Sequence, residues 1–112
     1  MERNVNKVEI AGIVGSEPKI TTMESGASIV RFPVATNEVF KLKDGSFREE
    51  TSWHSISAWS SKTLPDFSKI KKGMFVEVIG RLKYFKYKTK DGDDRFSTEI
   101  VALKISLPET NH

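Results

Sequence analysis

The chain of 112 residues contains no cysteine. That excludes a disulfide framework, a thiolate zinc site and a cysteine nucleophile. Histidine is almost as scarce: His54 and His112 are too few for a histidine-rich metal centre or a proton relay. No apolar run approaches the roughly 20 residues that a membrane-spanning helix needs, and no signal peptide opens the chain. Internal repeats, low-complexity tracts and Gly/Ser-rich linkers are also missing. What remains is ordinary for one folded domain. The length is close to the commonest domain size, and 38% hydrophobic residues make the chain too apolar for a disordered one. The reading is a small soluble domain, cytoplasmic, with one core.

The net charge is only +3, from 18 Lys and Arg against 15 Asp and Glu. Such a balance suits many partners. Its distribution is more informative. Lys69, Lys71, Lys72, Arg81, Lys83, Lys86, Lys88 and Lys90 fall in one stretch that holds a single acid, Glu77. The positive charge is therefore a local patch on a slightly acidic body.

The dominant hydrophobic period is two, the signature of strands. Asn6–Val14 is rich in Val and Ile and stops at Gly15, and Lys19–Met23 runs from Pro18 to the Ser25-Gly26 turn. Ala27–Thr36 alternates, with Ile29 and Arg31 on one side and Val30, Phe32 and Val34 on the other. Pro33 within it predicts an edge position or a local break in the ladder. Val39–Leu42 and Phe47–Glu50 flank Lys43-Asp44-Gly45-Ser46 and read as a hairpin. Thr51–Trp59, Phe75–Thr89 and Arg95–Leu107 complete the strands, the last two joined through Asp91-Gly92. One segment reads as helical: Leu64, Phe67 and Ile70 recur every third residue, Pro65 suits a first turn and Gly73 an end. It predicts a helix of two turns at most. Five main strands with one short helix between the third and fourth predict an all-β, five-stranded Greek-key barrel, the OB-fold, over residues 1–107. A β-sandwich is the alternative. Met1–Asn4 and residues 108–112 are expected to be loose ends.

Thr51–Trp59 is the most informative strand. Alternation puts Trp53, Ser55, Ser57 and Trp59 on one face and Ser52, His54, Ile56 and Ala58 on the other. Serine between tryptophans is a poor core pattern, because buried hydroxyls need partners. It suits a wet surface carrying two flat rings ~20 Å apart at a rise of ~3.3 Å per residue. Rings of this kind are platforms for stacked bases; the competing reading is that an indole closes one end of the core. Arg81–Lys90 adds five cations and three rings with no acid. Arg81, Lys83, Phe85 and Tyr87 share one face; Leu82, Tyr84, Lys86 and Lys88 share the other. Interleaved cations and rings fit a single-stranded polynucleotide, which offers both phosphates and bare base faces. Lysines that guard an exposed sheet edge are the alternative. A duplex reader would need a helix or ribbon aimed at base edges, and none is evident. RNA would stack on the same rings.

Catalysis has little support. Asp91, Asp93 and Asp94 lack the further ligands of a cation loop, and an Asp-Gly turn explains them. His54 shares a face with Ile56 and Ala58, which suits a buried or subunit-interface histidine better than a general base. No metal and no cofactor is expected.

At these residues the chain resembles the bacterial single-stranded DNA-binding protein family, OB-fold proteins of DNA replication, recombination and repair. The resemblance is carried by Asn6-Lys7-Val8 running into Gly12-Ile-Val-Gly15, by Glu17-Pro18, and by Phe32-Pro-Val-Ala-Thr36. Thr51-Ser-Trp-His54, Lys72-Gly73, Gly80-Arg-Leu82, Asp91-Gly92 and Arg95-Phe-Ser-Thr-Glu99 follow in the family's order. It spans roughly residues 4–107. It implies a cytoplasmic, nucleoid-associated homotetramer, with a dimer as the alternative, that wraps DNA without sequence preference or catalysis. Carried over by position, the stacking platforms fall at Phe40, Trp53, Trp59 and Tyr87, with Tyr84, Phe85 and Phe96 as second choices. The family often has Trp where this chain has Phe40 and Tyr87, and Phe where it has Trp59; each remains a flat ring. Lys7, Arg31, Lys72, Arg81, Lys83, Lys86 and Lys88 are the candidate phosphate contacts, and His54 matches a position of subunit contact. Family members usually continue into an acidic tip that recruits replication and repair proteins. This sequence ends at Glu109-Thr-Asn-His112 without one, which puts that recruitment in question. The rival expectations are a primosomal-type OB module working through protein–protein contacts and a metal-dependent nuclease on the same scaffold.

Overall fold

In a computed structural model the period-two segments become six strands; the structure describes residues 2–108. Of the expected loose ends, Met1 and residues 109–112, His112 among them, lie outside that range. The strands are β1 (Val8–Val14), β2 (Lys19–Thr22), β3 (Ser28–Lys41), β4 (Phe47–Trp59), β5 (Phe75–Lys88) and β6 (Asp94–Ser106). They form one sheet in the order β1-β5-β6-β4-β3-β2, and an additional β1–β3 pairing closes it. The closure runs through Ile13–Ala35 and Val14–Val34. Five strands thus form a barrel, and β2 lies outside the ring along the start of β3. This is the OB-fold. Closure leaves few unpaired strand edges.

Side-chain size governs how the barrel shuts. A Cβ at Gly12 would overlap the Ala35 carbonyl, so only glycine lets β1 approach β3 this closely. On the far side, Ile79 pairs with Lys104 but Gly80 with Ala102. Leu103 is the extra residue of a β-bulge, which bends β6 around the ring.

The core is small and aliphatic. Val30, Phe32 and Val34 of β3 meet Ile56 and Ala58 of β4, Val76 and Val78 of β5, and Ile100 of β6. A fully buried side chain of this size contributes about 1.5–3 kcal/mol. Phe67 and Ile70 plug one end of the barrel, with Leu64 packed beside them.

Three local expectations change. The helix is one 3-10 turn, Phe67–Lys69, with Asp66 Oδ1 accepting from the Ser68 N–H at 2.9 Å. A strict interval of three matches the 3.0 residues per turn of a 3-10 helix better than the 3.6 of an α-helix. Pro33 breaks no ladder, since it pairs with Ser55. Its carbonyl accepts from the Gly15 N–H at 2.9 Å, so its missing donor points to the same side, where β3 exchanges β2 for β1. Finally, Ala27–Thr36 and Val39–Leu42 are a single strand, as are Phe47–Glu50 and Thr51–Trp59.

Two antiparallel ribbons therefore extend past the barrel wall. The radius of gyration, 16.9 Å, exceeds the ~13 Å of a compact chain of this length because of them. Gly45 (φ +89°) and Gly92 (φ +84°) turn their tips, a conformation costly for any residue with a Cβ. Asp44 tightens the first tip by accepting from the Ser46 hydroxyl and N–H, which hold its carboxyl below the ordinary value.

Candidate nucleic-acid interface

The site grows from the place where the ribbons separate. β4 and β6 touch in parallel only through Ile56–Ile100 and Ser57–Val101. Toward the N-terminal ends of both strands the ribbons part and leave a cleft. Two adjoining cavities of ≈ 370 and ≈ 220 Å³ occupy it and share Ser55, Thr98 and Glu99.

Register fixes what faces outward. Arg31 pairs with Ser57, Ser57 with Val101, and Val101 with Arg81, so one row crosses four strands. The next row holds Pro33 and Ser55 on one ribbon and Glu99 and Lys83 on the other; the third holds Ala35 and Trp53, then Ser97 and Phe85. Beyond it Tyr87 lies opposite Arg95. Cations and rings on both banks thus flank a cleft whose walls are hydroxyl-rich.

Both indoles point away from the core. Trp53 is 63% exposed and Trp59 49%. Trp53 lies close over the Gly15 backbone: a Cβ at Gly15 would overlap its six-membered ring. Glycine after β1 thereby leaves room for the ring, most of which stays exposed. Phe85 is half-buried, with Lys83 Nζ 5.0 Å from its centroid, a cation–π contact. Tyr87 is exposed beside Arg95. The other three candidate rings lie on the opposite face of the ribbons. Phe40 is opposite Arg48, Tyr84 opposite Thr98, and Phe96 opposite Lys86, all exposed. One expectation fails on the Trp53 face: Ser57 is not wet but only 5% exposed, covered where β4 meets β6.

The seven candidate cations are all exposed but not equivalent. Arg31 Nε lies 3.7 Å from Glu99 Oε1, and Lys86 Nζ 3.3 Å from Asp94 Oδ2. Lys7, Lys72, Arg81, Lys83 and Lys88 pair with no carboxylate among the described residues. The Lys72 N–H donates to Glu17 Oε1 at 3.3 Å, which ties Lys72 to the turn that carries Gly15. His54 is half-buried behind the Trp53 face, its Nε2 2.9 Å from Thr36 Oγ1. Asp91 and Asp93 lie in the β5–β6 turn, where the Thr89 N–H donates to the Asp93 carbonyl at 2.9 Å. Among the described residues no three His, Cys, Asp or Glu side chains gather as a metal site.

Residues 5–108 match the Single-strand binding protein family. The chain belongs to that family. Among the relatives that this family member matches is single-stranded DNA-binding protein 1 of Chlorobaculum tepidum. The two are 37% identical, over 96% of this chain and 67% of the relative. The single-stranded DNA-binding protein of Xanthomonas axonopodis pv. citri is 34% identical, over 96% and 59%. The chain thus spans about three-fifths to two-thirds of these relatives' lengths. A Plasmodium falciparum SSB complex with ssDNA superposes with a TM-score of 0.80 at 29% identity, covering 96% of each chain. The wild-type single-stranded DNA binding protein from Thermus aquaticus shares the fold, with a TM-score of 0.75 at 21% identity over 96% of this chain and 52% of its own.

Three residues of the interface escaped the sequence reading as site residues. Gly15 marked a strand end and closed a family motif, but the indole above it is 38 positions away along the chain. Arg95 stands opposite Tyr87 only through the β5–β6 register. Glu99 read as one residue of a family motif, yet it lies between the two cavities. Alternation places residues on faces but does not say which strands meet.

Proposed function

We propose that this chain binds single-stranded DNA without sequence preference and without catalysis, in replication, recombination and repair. Bases stack on Trp53, Trp59, Phe40 and Tyr87, assisted by Phe85, Tyr84 and Phe96. Phosphates are met by Lys7, Lys72, Arg81, Lys83 and Lys88, and by Arg31 and Lys86 once their carboxylates yield them. The observation that carries this reading is the outward display of both indoles, Trp53 on the wall of a cleft between two cation-bearing ribbons and Trp59 beyond the β4–β6 contact on the same face of β4. A duplex keeps its base faces stacked on one another and could not use them. Rings on both faces of the ribbons suit a strand that winds around them rather than lying in a flat trough. The names of the curated relatives support the same ligand.

The working unit is a homotetramer in the bacterial cytoplasm. The exposed Ile13–Phe75 pair on the outer wall of the β1–β5 ladder supports association, since apolar side chains paired on a surface gain by being covered. His54 is assigned to a subunit contact.

Titrating intrinsic tryptophan fluorescence with oligo-dT tests the assignment, because Trp53 and Trp59 are the only indoles. Strong quenching that a matched duplex fails to produce is expected. Unchanged emission at micromolar protein and DNA, or equal quenching by the duplex, would overturn it.

A further inference from the structure

Glu99 is an unexpected residue for the wall of a cleft that receives a polyanion. Its side chain is only 14% exposed, and Oε1 is sealed from solvent with no hydrogen-bond partner. The nearest cation, Arg31 Nε at 3.7 Å, forms an ion pair but stands beyond hydrogen-bonding distance. Lys83 is its register partner across β5 and β6, and no ion pair joins the two. Burying a carboxylate costs free energy unless its lone pairs are satisfied. Here those of Oε1 stay unsatisfied until the carboxylate turns toward the cavities the residue lines, where a donor that enters can meet them.

Both cavities reach Glu99, and the smaller one is also lined by Trp53. A base laid on that indole would turn an edge toward the carboxylate. A carboxylate only accepts hydrogen bonds, so the edge must donate. Cytosine offers N4–H₂, adenine N6–H₂, and guanine the adjacent N1–H and N2–H₂. Thymine has a lone N3–H between two carbonyl oxygens, which repel a carboxylate. In that smaller cavity Ser55 and Thr98 can donate or accept around the rest of the ring, and Leu82 and Ile100 supply apolar wall.

Given single-stranded DNA in the cleft, we infer that Glu99 makes this subsite selective for amino-bearing bases over thymine. One such subsite leaves the protein sequence-tolerant overall. A strand that can shift in register brings a suitable base to Glu99 from almost any sequence, and the preference emerges only on uniform oligonucleotides.

The test uses fluorescein-labelled oligo-dC, oligo-dT and an oligonucleotide with 2-pyrimidinone in place of cytosine, which removes the amino group alone. Affinities come from fluorescence anisotropy at one salt concentration. Wild-type protein should bind the pyrimidinone strand about tenfold more weakly than oligo-dC, the lower range for one directional base contact. In Glu99→Met, which has similar length and only a weakly accepting thioether in place of the carboxylate, that difference should vanish and the dC/dT affinity ratio should fall by about the same factor. Equal binding of dC and pyrimidinone strands by the wild type would overturn the inference, even if the variant failed to fold. So would a Glu99→Met variant that changes affinity for every strand alike, as expected if Glu99 merely holds Arg31 in place. Failure to bind any strand would instead refute the DNA-binding assignment itself.

Discussion

Raising salt from 50 to 200 mM should weaken binding by a factor that the ion pairs of the free protein set. Each phosphate neutralised on a single strand contributes roughly −0.7 to the slope of log K against log[salt]. Five of the seven candidate cations have no carboxylate partner among the described residues. They give a slope near −3.5 and about a hundredfold loss over that range. Arg31 and Lys86 must first leave Glu99 and Asp94, so each adds less than a full increment, and the slope should stay above roughly −5. The assay is fluorescence anisotropy on an oligo-dT short enough to occupy one protomer, at five or more salt concentrations. Arg81→Gln should flatten the slope by about 0.7, and Arg31→Gln by visibly less. A slope shallower than about −1 would refute the phosphate assignments. Equal flattening by the two variants would refute the distinction between free and paired cations.

Trp53→Ala should weaken oligo-dT binding by about 1–3 kcal/mol, roughly 5- to 150-fold, while Trp53→Phe keeps most of the affinity; competition titrations read both. Ile56→Ala, at a fully buried core position, should lower stability by about 2–5 kcal/mol in urea unfolding, whereas Val39→Ala on the exposed ribbon should stay within about 0.5 kcal/mol. Asp44 and Asp66 are held below their ordinary value of 3.8, Asp44 first by the Ser46 hydroxyl and Asp66 first by the Ser68 N–H. A carboxyl depressed in the folded state adds stability above its unfolded pKa and loses it as pH falls through the folded one. The advantage of wild type over Asp44→Asn/Asp66→Asn should therefore hold constant at pH 5–7 and close below pH 3.8 in thermal melts.

How far the fold could be read from the chain depended on where one strand face is buried. Within the barrel, Val30, Phe32 and Val34 against Arg31 gave both the strand and its orientation, because every second residue meets the core, although Ile29 on the Arg31 side is covered as well. Past the wall that signal stops. Asn37, Glu38, Thr51 and Glu50 are polar on both faces, so each ribbon half looked like a separate short strand until pairing joined them. The Thr51–Trp59 pattern assigned Trp53 and Trp59 to the outer face correctly, since serine between indoles is a local contradiction of a core. Phe40 carried no such contrast, and the unbroken β3–β4 register shows it on the face opposite Trp53. Contacts between distant strands were the illegible part. The Gly15 seat beneath Trp53 and the Glu99 carboxylate between the cavities exist only once the barrel has closed.

Photo-crosslinking with oligo-dT carrying 5-iodouracil, followed by mass spectrometry of the tryptic peptides, tests most directly whether bases rest on these rings. Crosslinks should map to Trp53 and Tyr87 on the two banks of the cleft and to Trp59 farther along the same face of β4, and should disappear with excess unlabelled oligo-dT. Crosslinks confined to the Ile13–Phe75 wall, or persisting under that competition, would contradict the account.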